Sequence, residues 1–377
     1  MHIIDLPTPC ALIDANKLQN NCDKARTRCQ ALDVQLRPHV KTHKCVDIAL
    51  MQHGGSMGPI TVSTLAEAAH FADHGFNDIL YAVPFPITRM NDALALNRRI
   101  SSLRLLVDHE DTVRALSDAA VANDQRFTVH LKIDTGYHRA GVSPDAPASL
   151  ALAQRISSSP GLHFGGIVSH TGHAYDAQTE TDRADIAEAD RAQMVHFANV
   201  LRAQGVPVPC VSVGSTPAFA VTRNLQGADE VRIGNYPFYD AFQAEIGACT
   251  YDDIAFSVLV SVIGHYPDRN LMIIDIGSIG MSKDLGRQDM TPILGYGRLA
   301  TVESNTPLSD IQLVGLSQEH GRIVGINKPI EFTQYPIGSK FRVMPNHSCL
   351  TAAAFDKYWL FRGKTVEKAL NPCKFWS

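Results

Sequence analysis

No apolar stretch of this 377-residue chain approaches the length needed to cross a bilayer, so the sequence predicts no membrane span. It has no basic stripe and no interleaving of basic with aromatic residues. With a net charge of −4 and both signs scattered, no nucleic-acid partner is expected. The eight cysteines are dispersed and none forms a C-x-x-C pair, which in a long cytosolic chain favours thiols over disulfides. The segment Met1-His2-Ile3-Ile4-Asp5-Leu6-Pro7 carries neither a basic region nor an apolar signal core, so a cytoplasmic location is expected. There is also no internal repeat of fixed period and no low-complexity linker. What the chain does have is 45% hydrophobic residues, ample for one large domain and a smaller one.

From residue 34 to 236 short β-branched runs alternate with helical stretches. Strands are expected at 36–41, 60–63, 78–83, 103–108, 128–134, 166–170, 209–214 and 230–234, with helices at 64–74, 110–123, 148–157, 182–204 and 217–225. Alternation of near-continuous apolar strands with helices means a helix-covered parallel sheet, and eight units point to an α/β fold of the (β/α)8 TIM-like barrel type. A doubly wound open sheet would place a glycine-rich phosphate loop after its first strand. That place holds Pro38-His39-Val40-Lys41-Thr42-His43-Lys44 instead. A preceding helix is expected after Asp14 as its cap, with Leu18, Cys22, Ala25, Cys29 and Leu32 on its apolar face. After about residue 245 helical periodicity nearly vanishes. Strand-like runs at 254–265, 271–276, 299–303, 311–316, 323–326, 340–344 and 358–362 predict a mostly antiparallel β domain, which the strand at 10–14 could join. The expected domains are 15–245, the barrel, and 246–377 with 1–14, the β domain.

The segment 36–44 holds the densest chemistry. If it is a strand, Arg37, His39 and Lys41 share one face and Leu36 and Val40 the other. A lysine among other cations in a walled site loses its proton more readily, which an imine-forming amine requires. A solvated basic loop is the competing reading. In a parallel barrel, functional groups gather where strands end. The expected ends are Lys41, the run Asp134 to Gly141 with Arg139, the run Ser169 to Tyr175, Gly214-Ser215-Thr216-Pro217, and Arg232-Ile233-Gly234-Asn235. Gly-Ser-Thr-Pro opens a helix, where backbone N–H groups and two hydroxyls favour an anion, and Gly234 and Asn235 on the adjoining strand end could add two donors. Together these make a phosphate cup; alone the motif is a helix cap. Arg139 is either a guanidinium closing a surface turn or a fixed cation beside an acidic cofactor oxygen, and a buried Arg232 would need an anion or acceptor.

In the second domain, His347 and Cys349 are two apart. On an extended chain both side chains point the same way, and imidazole plus thiolate suits zinc with positions left open. Gln318-Glu319-His320-Gly321 is a further polar turn. Gly363-Lys364-Thr365 only imitates a nucleotide loop, because the required earlier glycine would fall at Tyr358. His265 reads as structural.

These motifs together resemble the D-serine dehydratase and D-threonine aldolase group of pyridoxal phosphate enzymes, which share the alanine-racemase-like fold, fold type III. The resemblance runs over nearly the whole chain, through Leu6-Pro7-Thr8-Pro9, Arg37 to Lys44, Val62 to Ala68, Arg139-Ala140-Gly141-Val142, Gly214 to Pro217, Gly234-Asn235-Tyr236, Gln318 to Gly321 and Pro345 to Cys349. It implies Lys41 as the Schiff-base lysine, Arg139 holding the cofactor's phenolic oxygen, and Tyr175 lining the pocket. It further implies Ser215, Thr216, Gly234 and Asn235 around the phosphate, with His347 and Cys349 on Zn2+ or another divalent cation. Arg232 stands where racemase relatives pair an arginine with the pyridine nitrogen. The thiolate in the metal pair, where aldolase-like members carry a carboxylate, favours dehydration of a D-β-hydroxy amino acid such as D-serine or D-threo-3-hydroxyaspartate. The rivals are retro-aldol cleavage of D-threonine, racemisation and a non-catalytic pyridoxal phosphate carrier. A homodimer is implied by the same resemblance.

Overall fold

The structure, a computed structural model, describes residues 1–286 and 295–374. The chain divides into two compact units, one formed by Asp23–Gly234 and one by Met1–Cys22 with Asn235–Lys374.

The first unit is the expected parallel barrel. Its eight strands are Gln35–Leu36, Ile60–Val62, Asp78–Pro84, Ser102–Val107, Phe127–Lys132, Leu162–Val168, Val211–Val213 and Glu230–Val231. Each pairs in parallel with its neighbour, and the last pairs with the first. The remaining seam, between the first strand and Ile60–Val62, is closed by a parallel bridge of His39 with Thr61 and a 2.8 Å bond from Thr61 N to Pro38 O. Helices such as Leu65–Asp73, Glu110–Ala122, Pro147–Ser158 and Glu180–Ala203 follow the strands. Two helices, Val46–Gln52 and Met90–Asn97, were not legible as helical periodicity because each is only about two turns long. The helix Ala15–Ala31 begins where Asp14 was expected to cap it: Asp14 Oδ1 accepts from the backbone N of Asn16 at 2.9 Å and of Lys17 at 3.2 Å. Cys22 and Cys29 are core residues on that helix.

The first strand departs from expectation. It does not run to Lys41. Pairing to the last strand continues through Arg37 N to Val231 O and His39 N to Ile233 O, and then the chain turns into a 3-10 helix, Val40–Thr42. Pro38 contributes no N–H to a ladder, and the apolar Val40 is wholly buried beyond it. The shared-face argument therefore holds for Arg37 and His39 but does not reach Lys41. Nor is Arg37 a free cation beside the lysine. It is fully buried, with Nε 2.7 Å from Glu230 Oε2 and its two terminal nitrogens 3.1 and 3.0 Å from the two Asp78 oxygens. Asp78 also accepts from Arg104 at 2.9 Å, and Glu230 from Ser212 Oγ at 2.7 Å. This network satisfies the charges buried in the barrel.

The second unit is built on a mostly antiparallel sheet. Cys10–Asp14 joins it, antiparallel to Phe256–Tyr266 and parallel to Tyr358–Arg362. Leu271–Ile274, Ile311–Leu316, Gly321–Gly325, Lys340–Met344 and Thr365–Leu370 complete its longer strands. Among the described residues no helix is long and apolar enough to cross a membrane.

Candidate functional site

Parallel strands deliver their C-terminal ends to one rim of the barrel, and the basic residues of this unit collect there. Lys41 is exposed on its 3-10 turn, whose backbone N at Lys41 donates to His39 Nδ1 at 3.4 Å. Lys132 ends the strand Phe127–Lys132, Arg139 lies on the loop after it, and Arg232 follows Glu230–Val231. The charges of all four act on His170. Burial first, and then the charges of Arg139, Lys41, Lys132 and Arg232, hold the His170 imidazole well below its ordinary range, so it is neutral. His39 is lowered the same way, by burial and then by Lys41, Arg232 and His170.

Among the described residues Lys41, Arg139 and Arg232 have no carboxylate ion pair; the barrel's nearby carboxylates are engaged elsewhere. Arg232 is buried and donates to Ser212 Oγ and to the carbonyl of Ser169. Lys132 is also buried, donating from Nζ to Ile133 O at 2.7 Å. Burial, with Arg232 and Arg139 adding to it, pushes its ammonium down to about 7. A rim with this surplus of positive charge fits an anionic cofactor such as a phosphate ester bearing a phenolic oxygen.

The loop that carries Arg139 is shaped by Asp134, whose Oδ1 accepts the backbone N–H groups of Gly136 and His138, each at 3.0 Å. Gly141 closes it at φ +112, where a Cβ would come within 2.8 Å of the Asp134 backbone. The Arg139 guanidinium lies 5.1 Å from the Tyr137 ring centre, and that ring meets His170 edge-on at 5.7 Å. Tyr175 ends the 3-10 turn Gly172–Tyr175 and is half-buried. Gly214 bends at φ +106 with no room for a Cβ, which would lie 2.7 Å from Val231. The helix Thr216–Val221 then starts as expected, with both hydroxyl residues buried. Ser215 does not cap that helix: its Oγ donates to the Thr171 carbonyl at 2.8 Å.

The sequence places His170 in the strand-end run Ser169 to Tyr175 without a role, and gives Lys132 and Asp190 none either. Lys132 sits at a strand end, the signal that could have found it. Asp190 lies mid-helix and gives none. Buried, it accepts from Thr135 Oγ1 at 2.5 Å, Thr171 Oγ1 at 2.7 Å and Ser169 Oγ at 3.1 Å.

The β unit holds the other predicted residues. Its extended-chain argument needs correction: His347 is extended at φ −134, but Cys349 lies in the first turn of the helix Ser348–Ala353. They meet nonetheless, for the His347 ring hydrogen-bonds with the Cys349 side chain. His347 Nδ1 also lies 2.9 Å from Asp284 Oδ2. Burial opposes a charge on His347, but Asp284, Cys349 and Asp240 outweigh it and raise its pKa. Asn235 belongs to this unit. Its side chain donates to Asp240 Oδ2 at 2.7 Å and Ser348 Oγ at 2.9 Å and stands 3.8 Å from Cys349 Sγ. Asp240 in turn accepts from the backbone N of Ser348 at 3.0 Å, tying down the start of the helix that presents Cys349. Among the described residues no group of three or more His, Cys, Asp or Glu side chains is arranged to hold a metal. A histidine–thiol pair with positions left open fits zinc chemistry.

Comparison with known proteins covers both units. Residues 13–240 match the family model of the alanine racemase N-terminal domain, and 255–361 that of a putative serine dehydratase domain. The chain is 39% identical to the D-threo-3-hydroxyaspartate dehydratase of Delftia sp. (strain HT23) over 360 residues, covering 94% of each chain. It is 36% identical to the D-serine dehydratase of Dictyostelium discoideum, covering 99% of this chain and 98% of that one. A 3-hydroxy-D-aspartate aldolase of Paracoccus denitrificans is less similar, at 27% over 96% of this chain and 90% of that one. The solved structure of the Delftia dehydratase superposes with a TM-score of 0.95 at 37% identity, covering all of both chains. A D-threo-3-hydroxyaspartate dehydratase has also been solved as a histidine-to-alanine mutant, at 36% identity and a TM-score of 0.96, and as a cysteine-to-alanine mutant in the metal-free form, at 37% identity and a TM-score of 0.95.

Proposed function

This chain belongs to the alanine-racemase-like family of fold type III pyridoxal phosphate enzymes, in its D-serine dehydratase branch, and on that premise we propose a zinc-dependent dehydration of D-β-hydroxy amino acids. The substrates are of the D-serine or D-threo-3-hydroxyaspartate type, and the products are an oxo acid and ammonia. The observation that carries this reading is the full-length similarity to two dehydratases, well above that to the aldolase. The metal reading is supported by the contact between an imidazole and a thiol in the β unit, and by a metal-free cysteine variant of a relative.

The barrel would hold the cofactor through Lys41, with Arg139 toward its phenolic oxygen and Arg232 toward its ring. Ser215, Thr216 and the backbone of Gly234 and Asn235 would take its phosphate. When bound, pyridoxal phosphate supplies an electron sink for the pair left when the α-proton departs. Lys41 Nζ would remove that proton from one face, which would restrict the enzyme to D substrates. Neutral His170 and His39 add no positive charge around the lysine. Tyr175 lines the pocket. His347 and Cys349 would hold zinc, which contributes Lewis acidity toward the β-hydroxyl leaving group. The net reaction would be loss of water from the substrate and release of the amino nitrogen as ammonia, with the oxo acid as the other product. A cytoplasmic homodimer is part of the same proposal.

The test is an absorbance spectrum with zinc analysis of the purified protein, followed by D-serine, D-threonine and D-threo-3-hydroxyaspartate in turn. The visible band of lysine-bound cofactor is expected in the wild type and absent from Lys41→Ala. Zinc is expected to fall in Cys349→Ala while the band persists. Keto acid with ammonia supports dehydration; glycine with an aldehyde would replace it by retro-aldol cleavage.

A further inference from the structure

Asp284 is placed with care for a residue that neither the motifs nor the cofactor accounts for. Its Oδ1 accepts the Gly286 N–H at 2.8 Å, and its own carbonyl accepts from Asn346 Nδ2 at 3.0 Å. Asn346 is buried and its side chain also donates to Gly295 O at 2.9 Å, so the segment around Asp284 is pinned to the residue immediately before His347. The remaining carboxylate oxygen, Oδ2, lies 2.9 Å from His347 Nδ1.

We propose that Asp284 is a positioning residue for the metal centre: its carboxylate holds the proton on His347 Nδ1 and so presents the Nε2 lone pair to the ion. The inference rests on the metal reading above and adds a residue to it. Metal-bound histidines commonly donate their other ring N–H to a carboxylate, which fixes the tautomer and ring orientation and raises ligand basicity. Two features assign Asp284 that part rather than a ligand's. Its Oδ2 is spent on the imidazole and its Oδ1 on a backbone N–H. And no set of three metal-binding side chains occurs among the described residues.

The test measures zinc dissociation constants on the full-length protein by competition with a chromophoric chelator, for the wild type, Asp284→Ala, Asp284→Asn and His347→Ala. Asp284→Ala is expected to bind zinc about 10–100-fold more weakly than the wild type. Asp284→Asn, isosteric and retaining one acceptor oxygen, should fall between the two, and His347→Ala should lose zinc altogether. Cobalt(II)-loaded Asp284→Ala should keep the thiolate-to-metal absorption band of the wild type, since the ligands themselves are untouched. Wild-type affinity in Asp284→Ala would overturn the proposal. So would complete zinc loss matching His347→Ala, or an altered cobalt spectrum, because either makes Asp284 itself a ligand. A wild type that binds no zinc would overturn the metal reading as a whole, a result distinct from these.

Discussion

Asp190 shows how a single side chain can organise the barrel rim without touching it directly. Its carboxylate gathers hydroxyls from Thr135, on the loop that carries Arg139, and from Ser169 and Thr171, on the segment that leads to Tyr175. The carbonyl of Ser169 accepts from Arg232 and that of Thr171 from Ser215, so one buried anion stands behind four predicted rim residues. Asp190→Ala would leave three hydroxyls without their acceptor in a water-poor site. Bonds to a charged group are each worth roughly 1.5–3 kcal/mol, so with three of them gone a loss of at least about 4.5 kcal/mol is expected in urea unfolding. Weaker retention of the cofactor's visible absorbance on dialysis should accompany it.

The helix that presents Asp190, Glu180–Ala203, owes its start to a reciprocal cap. Thr179 Oγ1 accepts from Asp182 N at 3.1 Å, and Thr179 N donates to Asp182 Oδ2 at 3.0 Å. This pairing answers two of the N–H groups that any helix start leaves open. Thr179→Ala should cost about 1 kcal/mol in the same unfolding experiment, and Thr179→Ser should recover most of it. The helix Ser348–Ala353 starts differently. His347 makes no side-chain cap, and the buried Asp240 accepts the Ser348 N–H. Its first turn is thus fixed by a distant residue, and His347 is left available for other partners.

At the scale of the whole barrel unit, buried titratable groups set the response to acid. Burial lowers His43 to about 4 and His130 to about 3, while Arg37 and Ser212, acting against burial, hold Glu230 at about 2. All three folded values lie below the ordinary ones, 6.5 for histidine and 4.5 for glutamate. Each therefore contributes stability that is complete above its ordinary value and is lost as pH falls toward its folded value. The unit should weaken below pH 6.5 as the unfolded chain takes up protons on these two histidines and on His39 and His170, which burial also holds down. Glu230 should add to the loss below pH 4.5. Each histidine accounts for about 1.4 kcal/mol per pH unit across its window. Denaturant unfolding at stepped pH should show this decline, and His43→Gln should make it shallower between pH 6 and 4. A slope unchanged in that variant would show that His43 takes up its proton in the folded state as readily as in the unfolded one.

The alternation of apolar strands with periodic helices, and its disappearance after about residue 245, was readable from the sequence because side-chain period and burial are local properties of the chain. So were the Asp14 cap and the helix opened by Gly214-Ser215-Thr216-Pro217. Tertiary structure decided where local rules gave way. Pro38 and a buried Val40 turned the lysine segment out of its strand, and Cys349 moved from extended chain into a helix. Arg37 was drawn away from the lysine because Asp78 and Glu230, 41 and 193 residues distant, supply the counter-charges its burial demands. Asp190 and Asp284 could not be read at all, because a carboxylate's role depends on which donors the fold brings within about 3 Å, and the partners that decide it, three hydroxyls for Asp190 and His347 for Asp284, lie 19 to 63 residues away.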